Sequence, residues 1–123
     1  MTRAIWLFLL VEVSGFVLAS LIHSGLLVSG YQHRQASIAE SSIAVVLMVG
    51  LILSLVLPGR TRLIGLVVQA VALLGTLVGV GTIAIGIGPR TSPDIAFHVA
   101  ILVVLSGGLF VTARAPGVSR LPA

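Results

Sequence analysis

The chain is 123 residues long, 58% hydrophobic and only 8% charged, with a mean hydropathy of +1.24. A soluble domain carries about 45–50% apolar and about 25% charged residues, so this composition cannot cover a water-facing surface and excludes a soluble globular enzyme and a disordered chain. The pI near 11.6 comes from seven Arg against three acids, and no basic cluster exists that would track a phosphate backbone, so nucleic acid is excluded as a partner. Cys is absent, which removes disulfides, thiolate metal sites and thiol redox chemistry.

A bilayer core of about 30 Å needs about 20 apolar helical residues to cross it. Four stretches meet that length: residues 4–28, 38–57, 63–87 and 95–113. Their runs are continuous rather than alternating, which argues against spanning strands. In lipid a helix satisfies its own backbone, so frequent Gly and Val do not prevent it. The expected fold is all-α: a four-helix transmembrane bundle, antiparallel up-down-up-down, forming one integral membrane domain over residues 1–123 with a polar tail at 114–123. Short connections at 29–37, 58–62 and 88–93 force neighbouring helices to alternate in direction.

The first span begins near Arg3, but it carries Glu12 and outruns a signal-peptide core, so it reads as a retained helix. In the last connection Ser92 is the expected N-cap, with Pro93 at the first helical position and Asp94 in the first turn. Arg3, Arg60, Arg62, Arg114 and Arg120 fall on one side, Arg34 and Arg90 on the other. That bias predicts both termini in the cytoplasm. Trp6 and Tyr31 read as interfacial aromatics.

All three acids, Glu12, Glu40 and Asp94, sit inside or at the edge of a span, and none is spent on a loop. A carboxylate at the bilayer centre costs about 2.5–3.5 kcal/mol on insertion scales, so such residues face the bundle interior and mark function. At about 1.5 Å rise per residue, His23 lies about 7–8 Å deep, Glu40 about 3–6 Å and His98 about 5–8 Å. Asp94 stands one turn before His98 on the same face, and His33 sits in the loop above. His23, Glu40, His98 and Asp94 thus share one outer-leaflet layer.

Two His and a carboxylate form a ligand set for Fe, and imidazole also suits Cu and Zn. The leading expectation is therefore a transition-metal site (Fe, Cu or Zn) made by His23, Glu40 and His98. Asp94 would orient His98 through its second ring nitrogen, and His33 would assist. A haem b held by His23 and His98 is the variant of that reading, and redox or electron transfer would follow. Polar residues acting only as interhelical fasteners are the structural alternative.

A second layer lies deeper, with Glu12 about 12 Å and Gln69 about 9 Å from the inner face. They are expected to form a proton-linked or simply hydrogen-bonded pair. Glu12 and His23, eleven residues apart, share one face and draw a polar line along the first span. Gly75 and Gly79 make a GxxxG pattern, read as close packing within the bundle ahead of homodimer formation. The last connection allows Arg90 to stand near Asp94, where it would bind an anionic headgroup or carboxylate; a surface Arg that needs no partner is the more common case.

The string Val11-Glu12-Val13-Ser14-Gly15 resembles the first-helix Glu with a nearby Gly of the small multidrug resistance transporters, which also have four short spans. That likeness implies a Glu12 that binds protons and cationic substrates in a dimer. It covers about a dozen residues. Aromatics are scarcer here than in that family, and the His residues, Glu40 and Asp94 have no place in its pattern. Beside the metal or haem reading stand a small proton-coupled transporter using Glu12 and an accessory subunit of a larger membrane complex. No reaction type is legible, and no Ser-His-acid triad emerges from the spacing.

Overall fold

A computed structural model describes residues 1–117. Four helices appear, α1 (Thr2–His23), α2 (Arg34–Val56), α3 (Thr61–Ala84) and α4 (Ser92–Arg114), with a 3₁₀ turn at Pro58–Arg60 before α3. Each is long and apolar enough to cross a membrane, which establishes the four-helix transmembrane architecture. Arg120 and the rest of the tail beyond residue 117 lie outside the described residues.

The helices do not end where hydropathy ends. The first apolar run continues to Val28, yet α1 stops at His23. Gly25 takes φ +80°, its N–H donates to Ile22 O, and Leu26 N–H donates to Leu21 O. This pairing of a 5→2 and a 6→1 bond is the Schellman stop, which a residue without Cβ enters freely. Gly86, at φ +88°, repeats it: its N–H donates to Ile83 O and Ile87 N–H donates to Thr82 O. The third span therefore closes at Ala84 rather than at residue 87. Hydropathy averages over such turns and overshoots them.

The starts shift as well. α2 opens at Arg34, not at residue 38, because the His33 side chain accepts the Ala36 N–H and caps the helix. The N-cap of α4 is Thr91, not Ser92. Thr91 Oγ1 accepts Asp94 N–H while the Asp94 carboxylate accepts Thr91 N–H. That reciprocal box needs three-residue spacing to a carboxylate, which Thr91 has and Ser92 lacks.

α1 packs against each of the other three helices and supplies the centre of the core. Its buried face, Ile5, Leu9, Glu12, Val13, Phe16, Ala19, Ser20 and His23, follows helical spacing. Leu47, Ala72, Ile101 and Leu105 meet it from the other helices. Leu7, Leu10 and Leu18 point outward, as a lipid-facing surface requires. The GxxxG glycines look inward: Gly75 faces Ile43 of α2 and Gly79 faces His98 of α4. One end of the bundle gathers Met1, Pro58, Arg62 and Ala115 around a cleft. At the other end the two remaining loops meet, with His33 Nε2 3.3 Å from Ile87 O.

Candidate functional site: a histidine between two carboxylates

Near the loop end, three helices converge on one imidazole. His23 closes the buried stripe of α1 and is 4% exposed. Its Nδ1 lies 2.8 Å from Oε2 and 2.9 Å from Oε1 of Glu40 on α2. Its Nε2 lies 2.9 Å from Oδ1 of Asp94 on α4. Glu40 and Asp94 are 5% and 6% exposed, so this is a buried trio. In the imidazolium form His23 donates in both directions. The other oxygen of Asp94 accepts Thr91 N–H at 2.9 Å and the Thr91 hydroxyl, which ties the carboxylate to the start of α4.

The serines below brace the same seam. Ser20 Oγ lies 2.6 Å from Ser41 Oγ, and the Ser37 hydroxyl donates to Ser20 O at 3.1 Å. These bonds hold α1 beside α2 just under His23, so Glu40 reaches the ring without a long detour.

His98 takes a different place from the one expected. Its Nδ1–H donates to the backbone carbonyl of Asp94 at 2.8 Å, while the Asp94 carboxylate has gone to His23. Asp94 is thus the partner of His23, not the orienter of His98. The reason is the capping box, which turns the Asp94 side chain back toward its own N-terminus and across to α1. His33 is occupied as a cap, with Nδ1 on Ala36 N–H and Nε2 donating to Ile87 O. Its ring centroid is 6.4 Å from that of His23. Arg90 does not approach Asp94. Its Nε donates to Ile83 O at 2.7 Å and its Nη2 to Ala84 O at 2.9 Å, closing the carbonyl end of α3.

Among the described residues no group of three or more His, Asp or Glu side chains is arranged to hold a metal ion. Glu40 and Asp94 stand at opposite nitrogens of one ring rather than converging on a shared point. Coordination of Fe, Cu, Zn or a haem iron by His23 would require one carboxylate to surrender its nitrogen.

The deeper layer assembles as a ladder. Gln69 Nε2–H donates to Glu12 Oε1 at 2.9 Å, and the Thr112 hydroxyl donates to Gln69 Oε1 at 2.9 Å. All three side chains are fully enclosed, and the ladder links α1, α3 and α4. Glu12 Oε2 has no protein partner. Phe16 and Val13, 2% and 3% exposed, separate this layer from the trio above, so the polar line along α1 is interrupted by apolar packing. Thr91 and Thr112 were not among the residues singled out from the sequence. The Thr-x-x-Asp spacing was a usable signal for the first, and nothing local marked the second.

Two clefts flank the trio. One, of about 160 Å³, is lined by Glu40 and His98. The other, of about 290 Å³, is lined by His23, Asp94 and Tyr31. The chain matches no protein-family model, no curated protein and no solved structure in the three comparisons. Its reading therefore rests on this geometry.

Proposed function

We propose that this protein is a small proton-coupled membrane transporter whose proton is held on the Glu40–His23–Asp94 relay. The supporting observation is that each ring nitrogen of His23 faces a carboxylate from a different helix. A protonated Glu40 can pass its proton to Nδ1 while Nε2 hands its own to Asp94. The imidazole returns to its starting charge with its proton moved from one nitrogen to the other, as a histidine shuttle requires. The two carboxylates are the separate faces of that shuttle, one on each cleft.

Charge balance supplies the coupling. With both carboxylates ionised and His23 protonated, the trio carries one net negative charge in a buried setting. Buried charge of that kind demands a partner. A further proton on a carboxylate neutralises it, and so does a cation in the adjoining cleft. The two are thus alternatives at one site. Glu12, enclosed by Gln69 and apolar neighbours, acts in this reading as a fastener rather than as the proton carrier. In this reading the loop end, and with it the relay, faces the extracytoplasmic side, which the Arg bias supports.

Proteoliposomes with an entrapped pH dye test this reading against outward gradients of sodium, potassium and tetramethylammonium. At least one cation should move the lumenal pH. The His23→Gln and Asp94→Asn variants should abolish the response, and Glu12→Gln should preserve it. A wild-type protein silent to every cation, or a His23→Gln variant that transports normally, overturns the proposal. The accessory-subunit reading would then stand, with the Glu12–Gln69–Thr112 ladder as a fastener that ties three helices together.

A further inference from the structure

The 160 Å³ cleft between α2, α3 and α4 has its own chemistry. His98 Nδ1 faces a backbone carbonyl, which accepts and cannot donate, so the Nδ1 proton is fixed there. In the neutral ring Nε2 then holds a lone pair. That atom has no hydrogen-bond partner among the described residues, and it faces α3 at Gly79, where an added Cβ would stand 3.5 Å away. The glycine keeps the approach to the nitrogen open.

Apart from Gln35, the other polar side chains at the cleft have their hydrogen-bonding groups committed within the protein. Glu40 is turned to His23, with both oxygens on its Nδ1. The Thr76 hydroxyl donates to Ala72 O, the Thr82 hydroxyl to Gly79 O, and His33 Nε2 to Ile87 O. Gln35 stands at the exposed rim. The remaining wall is apolar, with Phe16, Ile43, Val78 and Phe97 along it. A ligand complementary to this cleft brings a hydrogen-bond donor for His98 Nε2 on an otherwise apolar body. The cleft has room for one aromatic ring, since a cavity of about 150 Å³ lined by apolar side chains accommodates benzene.

We infer that this cleft binds a single hydroxylated aromatic ring, the chemistry of a quinol headgroup or a simple phenol, with the ring hydroxyl donating to His98 Nε2. The site does not rest on the relay, because the receiving nitrogen belongs to a histidine outside it.

The test is ¹⁵N NMR of histidine-labelled, detergent-purified full-length protein titrated with hydroquinone, 2-decylhydroquinone and 1,4-dimethoxybenzene. At least one of the two quinols should shift the His98 Nε2 resonance saturably toward the hydrogen-bonded position. Dimethoxybenzene, which has no hydroxyl, should not. Gly79→Val places methyl groups over the nitrogen and should weaken binding about tenfold or more while the helical circular dichroism stays intact, in line with loss of one hydrogen bond. His98→Phe should do the same through removal of the acceptor. Saturation by the decyl compound alone identifies a bilayer quinol, and equal saturation by both identifies a soluble phenol. Equal response to dimethoxybenzene, a nitrogen that sees water only, or unchanged affinity in the folded Gly79→Val protein overturns the inference.

Discussion

His23 Nε2 and Asp94 Oδ1 stand 2.9 Å apart although 71 positions separate them in the chain. The same Asp94 caps α4 through Thr91, so one carboxylate both starts a helix and docks it on α1. Removing one member of a buried ion pair leaves the other uncompensated and typically costs about 3–5 kcal/mol. Asp94→Asn should therefore destabilise the bundle by about 3 kcal/mol or more, read as an earlier midpoint in denaturing-detergent titration. Because Glu40 acts on the same ring, a double-mutant cycle of Glu40→Gln with Asp94→Asn should be non-additive by about 0.5–3 kcal/mol. Strict additivity would mean that the two carboxylates do not share His23.

The deeper ladder responds to polarity rather than to charge. Gln69→Leu strips Glu12 Oε1 of its donor and leaves the Thr112 hydroxyl without its acceptor. A loss of about 1–3 kcal/mol follows from orphaning a buried polar group. The double variant Glu12→Leu with Gln69→Leu should recover the share of that loss that comes from Glu12, while the Thr112 hydroxyl stays without its acceptor. Detergent-titration midpoints of the single and double variants decide this.

Gly108 leaves room for the ladder. A Cβ there would run into Gln69 Nε2 and Glu12 Oε1. Gly108→Ala should cost about 1–3 kcal/mol through overpacking, even though alanine is the better helix former. The same exchange at Gly81, where an added Cβ meets nothing within 4 Å, should be neutral or slightly favourable. Thermal unfolding followed by circular dichroism separates the two.

Orientation is open to direct measurement because the chain has no Cys. Ser29 and Gly59 are exposed at opposite ends of the bundle. In intact cells Ser29→Cys should react with a membrane-impermeant thiol reagent, and Gly59→Cys only after permeabilisation. The reverse pattern would refute the orientation drawn from the Arg bias, and labelling of both would show dual insertion.

Much of this protein was determined by the sequence alone. Four apolar runs joined by short loops leave one fold class, since lipid allows only structures that satisfy their own backbone. The three acids could not face lipid, so they had to lie within the bundle, and the Glu12–Gln69 pair followed from their matching depth. Helix ends were less legible, because Gly25 and Gly86 stop helices by dihedral angle inside runs whose hydropathy continues. The partner of each polar group was decided only by tertiary structure. Depth along a span says which side chains share a layer, but helix rotation and the capping box set their directions. Those sent Asp94 to His23, His98 to a backbone carbonyl, and Arg90 to the end of α3. A hydrogen bond is lost within about an ångström of misplacement, whereas spacing along the chain locates a side chain only to within a helical turn.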